Sequence, residues 1–293
     1  MNVPDVEVVA VASQHFPHAV AFAERFSGRP YESVEQLLER ASCDVIYICV
    51  PPDAHGRIEE LVIDAHLPFF VEKPLAHDLD TAERIAEKLA SNPVLTATGY
   101  HWRYSRSVER ASTLLQEHPP IMATAYWLDR VPPPAWWQRR EQSGGQVVEQ
   151  ATHLLDTLRV LLGEWTGVCG MANRPVVADG LVDRAVVSAL RFRSGAIASL
   201  VCTSMLQQKG SVGIDVVGEG LWIRVMEDRL ERLDGGVPQI VPNGDDPRER
   251  VDRAFIEALR GVQGAEIRSS YKDALQTQRL AFEITQAAAG NAR

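Results

Sequence analysis

No stretch of this 293-residue chain approaches the roughly 18 consecutive apolar residues that a membrane-spanning helix needs. The opening MNVPDVEVVA has no basic segment ahead of an apolar one, so it does not read as a secretory signal peptide. Basic charge is scarce: 30 Lys and Arg stand against 39 Asp and Glu, a formal net charge of −9. Phosphate backbones are bound by basic faces, and none stands out here, so a nucleic-acid partner is not expected. Cysteine is rare as well. Cys43, Cys49, Cys169 and Cys202 lie far apart or inside apolar runs, a pattern that reads as reduced, buried thiols rather than disulfides or a zinc site. These absences together predict a soluble, cytoplasmic protein with no membrane span.

Hydrophobic residues make up 45% of the chain, enough for one large core or two modest ones. In the first hundred residues, short β-branched runs alternate with amphipathic stretches. Strands are predicted over 6–12, 45–50, 69–71 and 94–98, and helices over 17–26, 33–41, 57–65 and 79–89. Ser33 is placed to cap the second helix, with Gln36 three residues on. This alternation predicts right-handed crossovers and a parallel sheet, and continuous apolar strands such as VIYICV suit a sheet covered on both faces. After a helix over 107–116 the texture changes. Runs over 122–128, 184–192, 196–203, 213–217 and 221–225 read as strands, punctuated by turn signals at Ser194–Gly195 and Asp234–Gly236. One helix is predicted over 147–162 and two more close the chain, over 249–261 and 272–289. The expected organisation is an α/β domain over 1–103 and an α+β domain over 104–293. The second carries a mostly antiparallel sheet.

Three motifs carry candidate chemistry: VPPDAH (50–55) and VEKPL (71–75) at the ends of two predicted parallel strands, and GGQVVEQATHLLD (144–156) at a helix start. Ligands of open parallel sheets bind beyond the carboxyl ends of the strands, where the first two motifs fall. Together with GYHWRY (99–104), these segments resemble the glucose-fructose oxidoreductase / inositol dehydrogenase / MocA family over nearly the whole chain. The resemblance implies a Rossmann domain, a domain with an open-faced sheet, and hydride transfer between nicotinamide and a sugar, polyol or related alcohol.

Carried over residue by residue, it implies that Lys73 reaches the reacting oxygen and that His153 acts as general acid/base, its ordinary pKa lying near neutrality. Glu149 stands where the family usually has Asp. Four residues before His153 on one helix, it would share a face with the imidazole and orient or charge-tune it. Val50, Pro51, Pro52, His55, Glu72, Trp102 and Arg103 would border the cofactor, with His55 equally suited to capping a helix. Trp136, Trp137 and Arg139 could wall the substrate pocket, although a tryptophan pair is as often core. Glu149-x-x-x-His153 is not H-E-x-x-H, so no metal is expected. The family also implies a homodimer or homotetramer formed through the open sheet.

The chain nevertheless lacks G-x-G-x-x-G, the loop whose glycines let the backbone approach a pyrophosphate. The strand over 6–12 is followed by SQHFPH and matches the second strand of such a domain. Ser13 then stands where an acid normally meets the ribose, which makes NADP at least as suitable as NAD; Ser13 as a plain turn residue is the alternative. In strand order 3-2-1-4-5-6 the first strand is central, so its loss should separate the second strand from the fourth and expose two apolar edges. A start assigned inside the true gene is the favoured explanation, and poor cofactor affinity is expected of the chain as written. The competing expectation is a non-catalytic relative that serves as a binding or scaffold protein.

Overall fold

The structure, a computed structural model, describes residues 3–174 and 180–290. The first region runs β1 (Ala10–Ala12), α1 (Phe16–Phe26), β2 (Arg29–Tyr31), α2 (Val34–Arg40), β3 (Ile46–Ile48), α3 (Arg57–Asp64), β4 (Phe69–Val71), α4 (Leu79–Ser91), β5 (Thr96–Thr98). A 3-10 turn at His101–Tyr104 leads into α5 (Arg106–Glu117). The rest comprises β6 (Pro120–Leu128), α6 (Arg140–Ser143), α7 (Gln146–Glu149), α8 (Thr152–Leu162), β7 (Trp165–Asn173), β8 (Ala185–Phe192) and β9 (Ile197–Thr203). It continues through β10 (Val212–Gly218), β11 (Leu221–Val225), β12 (Arg229–Arg232), β13 (Gln239–Pro242), α9 (Pro247–Leu259) and α10 (Tyr271–Gly290).

Strand–helix alternation in the first region gives parallel pairing, as expected, but the sheet is in two pieces. β1 pairs with β2, and β3, β4 and β5 form a separate three-stranded sheet. Among the described residues no strand joins β1 to β3, which is the gap that a missing central strand leaves. The seam also corrects the first predicted strand. Only Ala10–Ala12 is extended into a ladder, these residues are half-buried, and Val9 is 43% exposed. An apolar run is covered only if a neighbour lies on each side, and here one side is open. The Ser33 cap forms as expected, its hydroxyl accepting from the Gln36 backbone N–H at 3.2 Å.

The second region is built on an eight-stranded sheet in the order β13-β12-β11-β10-β6-β9-β8-β7. It is antiparallel except for the β6–β9 pair. Its strands alternate buried and exposed residues, so one face packs on α5, α8 and α10 while the other lies open. The predicted 184–192 and 196–203 strands form a hairpin through Ser194–Gly195, whereas β2, β7, β12 and β13 gave no clear period in the sequence. The last two helices return to the first region: Tyr271, Ala274 and Leu275 join the core beneath β3 and β4, and Val251 and Phe255 pack with Phe70. A boundary at 103/104 therefore follows chain order, while the packing of α9 and α10 crosses it.

The cysteines are free, as expected, but they are not uniformly buried. Only Cys202 is; Cys49 lies at the open edge beyond β3 and Cys169 on the open sheet face. Both are open because no strand or layer among the described residues covers them.

Candidate functional site

The parallel register pairs Ile48 with Val71, so the segments that follow, Val50–Pro52 and Glu72–Pro74, leave the sheet side by side. Gly99 follows β5 on the same rim. A side chain there would collide with Glu72, since an added Cβ would lie 2.5 Å from its Oε2. The missing side chain makes room for the carboxylate, which accepts from the Lys73 backbone N–H at 3.2 Å.

Gly144 and Gly145 bring the second region to this rim. Both have positive φ (74° and 98°), and a Cβ on Gly144 would stand 2.7 Å from the His77 carbonyl oxygen. The double-glycine turn thus presses the start of α7 against the first region, and α7 ends at Glu149. Lys73 Nζ donates to Glu149 Oε1 and to its backbone carbonyl, both at 2.8 Å, and Trp137 Nε1 donates to Glu149 Oε2 at 2.7 Å. The ammonium and carboxylate are each only about one-sixth exposed.

Two sequence expectations are corrected here. The single helix over 147–162 is two helices, broken at Gln150–Ala151, so Glu149 and His153 do not lie at i and i+4 of one helix. The Glu149 carboxylate accordingly turns to Lys73 and Trp137 rather than to the imidazole. Trp137 is 1% exposed and anchors that carboxylate from the core instead of walling a pocket. Trp136 is half-buried, and Arg139 points outward beside Glu141 at 3.8 Å.

His153, in the first turn of α8, is 6% exposed and sits in an aromatic box. Trp102 and Trp127 lie nearly parallel to it, with ring centres 6.5 and 6.3 Å away, while Tyr100 and His101 approach edge-on at 6.0 and 4.8 Å. Its Nδ1 is buried without a hydrogen-bond partner. Burial, followed by the nearby positive charge of Lys73, pushes its pKa well below the ordinary imidazole value. The ring is therefore neutral near pH 7, free to accept a proton from a bound molecule. The shift also predicts a pH dependence of stability. Above about 6.5 the imidazole is neutral in folded and unfolded chains alike; as pH falls below that, the unfolded chain binds a proton that the folded one refuses. Stability should drop with acidification in that window. His153→Gln should flatten the drop, as checked by melting temperatures at pH 5 and 7.5.

The remaining rim residues divide. His55 is fixed by a 2.6 Å contact between its Nδ1 and Glu59 Oε1, while Glu59 Oε2 accepts from the Gly56 backbone N–H, an arrangement that seats the start of α3. Pro52 is buried, and Val50 and Pro51 remain accessible at the rim. Trp102 serves the aromatic box. Arg103 is buried and its guanidinium is spent on Asp156, through Nε at 2.7 Å and Nη2 at 2.6 Å. Ser13 ends β1, and its hydroxyl accepts from the His15 backbone N–H at 3.3 Å, a turn contact.

These residues fit a nicotinamide at the rim formed by Val50, Pro51 and Lys73. They do not fit a pyrophosphate: the loop from β1 to α1, Ser13–His15, carries no glycine, and among the described residues no strand lies between β1 and β3. The groups around His153 that sequence reasoning passed over are His101, Trp127 and Glu227. His101 stood inside the quoted GYHWRY; Glu227, on the turn between β11 and β12, carried no local signal.

Comparison with known proteins adds the following. Residues 1–100 match "Oxidoreductase family, NAD-binding Rossmann fold", and residues 119–224 match "GFO/IDH/MocA C-terminal domain". An uncharacterised protein of Schizosaccharomyces pombe is 26% identical over 307 residues, spanning 88% of this chain and 75% of its own length. The myo-inositol 2-dehydrogenase of Thermotoga maritima is 28% identical over 178 residues, covering 58% of this chain and 52% of that enzyme. In three dimensions, levoglucosan dehydrogenase in complex with NADH and levoglucosan superposes with a TM-score of 0.86 at 18% identity, over 97% of this chain and 88% of that one. At that identity the likeness concerns the fold.

Proposed function

The chain belongs to the GFO/IDH/MocA oxidoreductase family, and from that premise we propose that it transfers a hydride between nicotinamide, as NAD or NADP, and a sugar, polyol or related alcohol. The observation that carries this reading is the Lys73–Glu149 pair joining the two regions, with a neutral, boxed-in His153 that feels the lysine's charge. An ammonium beside the reacting oxygen stabilises developing alkoxide charge, and a neutral imidazole can take the hydroxyl proton. Glu149, held by Trp137, positions the lysine. A bound nicotinamide would supply the hydride acceptor or donor; the chain supplies orientation, charge and proton handling. A relative named as myo-inositol 2-dehydrogenase supports the substrate class.

The test is absorbance at 340 nm with NAD or NADP across a panel of inositols, aldoses and anhydrosugars. Turnover of one of them supports the proposal, and silence across the panel despite measurable cofactor binding sinks it. The open seam between β1 and β3 favours a second reading, a non-catalytic relative. That reading is supported if calorimetry detects neither NADH nor NADPH binding.

We further infer self-association through the open sheet face, where Met122, Met171, Val187 and Ile197 are 43–67% exposed. Ile197→Asp should shift the protein to monomer in analytical ultracentrifugation without lowering its melting temperature.

A further inference from the structure

His153 has a neighbour that the scheme above leaves idle. The His101 ring lies edge-on to it, with ring centres 4.8 Å apart and an interplanar angle of 64°. His101 is only 12% exposed, and its Nε2 is buried with no hydrogen-bond partner, like Nδ1 of His153. Two buried imidazoles with unsatisfied nitrogens side by side are costly unless a proton or bridging group passes between them.

On its far side, His101 Nε2 stands 3.9 Å from Glu227 Oε1, a charge contact too long for a hydrogen bond. Hairpin turns are ordinarily mobile, yet the one bearing Glu227 is tied down. Asn243 Nδ2 donates to the Glu227 carbonyl at 2.6 Å, Ser107 Oγ donates to the Met226 carbonyl at 3.1 Å, and the Ser107 backbone N–H donates to Asn243 Oδ1 at 2.8 Å. Ser107 opens the helix that follows the His101 turn, so these bonds hold the carboxylate at a set distance from the imidazole. Lys209 at 3.4 Å and Arg248 at 2.7 Å flank the same carboxylate. His101, then Lys209 and Arg248, hold the Glu227 carboxyl down to about 2, so it carries full charge at any working pH. Glu227 is one-third exposed and opens onto a surface cleft of about 610 Å³ lined also by Lys209, Val212 and Arg248.

We propose that His101 and Glu227 form a proton outlet for His153, with His101 a positioning and relay residue for the reaction assigned above, on which this inference rests. When a substrate O–H bond breaks, its electron pair stays on oxygen and the proton goes to neutral His153. That imidazole passes a proton to the His101 ring and returns to neutrality. The His101 Nε2 faces the Glu227 carboxylate at 3.9 Å, and the proton leaves by way of that carboxylate, which lines the cleft. One proton enters and one leaves, and no other group changes charge. The path runs in reverse for carbonyl reduction. Burial, then Lys73, His101 and Arg248, disfavour a cation on His153, while the Glu227 carboxylate stands on the far side of His101, which gives the path its direction.

The test is imidazole ¹⁵N NMR of the protein without substrate or cofactor, titrated from pH 5 to 9, in wild type, Glu227→Gln and His101→Gln. In the wild type, proton uptake is expected first on His101. Glu227→Gln should cut the charged-to-neutral ratio of His101 at a fixed pH by at least tenfold, and His101→Gln should change the titration of His153. A His101 ratio that moves less than twofold in Glu227→Gln overturns the proposal, as does a His153 titration indifferent to His101→Gln. Because Glu227 lies on a solvent-facing turn, its variant decides the question even if the His101 variant does not fold. Failure here leaves the Lys73 chemistry standing, since that is judged by turnover.

Discussion

Turnover of the substrate found by the absorbance panel should fall roughly 10²–10³-fold in Lys73→Ala, the usual cost of removing one preorganised donor to a developing oxyanion. The loss should appear in kcat and in kcat/KM together, because the ammonium is needed where charge develops rather than where the ground state binds. The fold should survive. Lys73 is partly exposed, its main-chain contacts persist, and Glu149 keeps its bond from Trp137 and a route to solvent. Lys73→Arg keeps the charge, but its rigid fork cannot reproduce a point donor, so it should recover only part of the activity. Steady-state kinetics beside circular dichroism checks both claims, and wild-type turnover in Lys73→Ala would remove the proposed site.

The largest stability loss is expected at Asp156. Its carboxylate is fully buried in the middle of α8 and accepts from Arg103 Nε and Nη2 and from Thr277 Oγ1 at 2.8 Å, with Arg159 3.9 Å away. It therefore ties the turn after β5, α8 and α10 together. Asp156→Ala leaves the buried Arg103 guanidinium with Asp273 as its one remaining carboxylate, at 2.6 Å, while Arg159 keeps Glu164 at 2.6 Å, and breaking such a buried pair from one side costs up to about 3–5 kcal/mol. Urea denaturation should show that loss as a lower midpoint. Since Arg103 follows His101 by two residues and Asp156 follows His153 by three, a folded remnant should also show loosened histidine contacts by NMR. An unchanged midpoint would mean that the clamp contributes little.

Period and composition alone made much of this protein legible. Parallel β4 lies at Phe69–Val71 and antiparallel β11 at Leu221–Val225, as the apolar runs demand. The seam between β1 and β3 was foreseeable because no strand in the sequence is followed by a G-x-G-x-x-G loop, so the central strand that carries it was not to be found. The resemblance of its motifs to the family singled out Lys73 and His153. Local pattern could not decide the partners. Glu149 had a helical spacing to His153, yet the break at Gln150–Ala151 turned it to Lys73, 76 residues away, and Trp137 became its anchor rather than a pocket wall. Arg103 went to Asp156, 53 residues on. Glu227 reached His101 only because Asn243 and Ser107 pin its turn. The reason is physical: side-chain periodicity is a property of neighbours in sequence, whereas charge pairing and desolvation depend on distances that exist only once the two regions have packed.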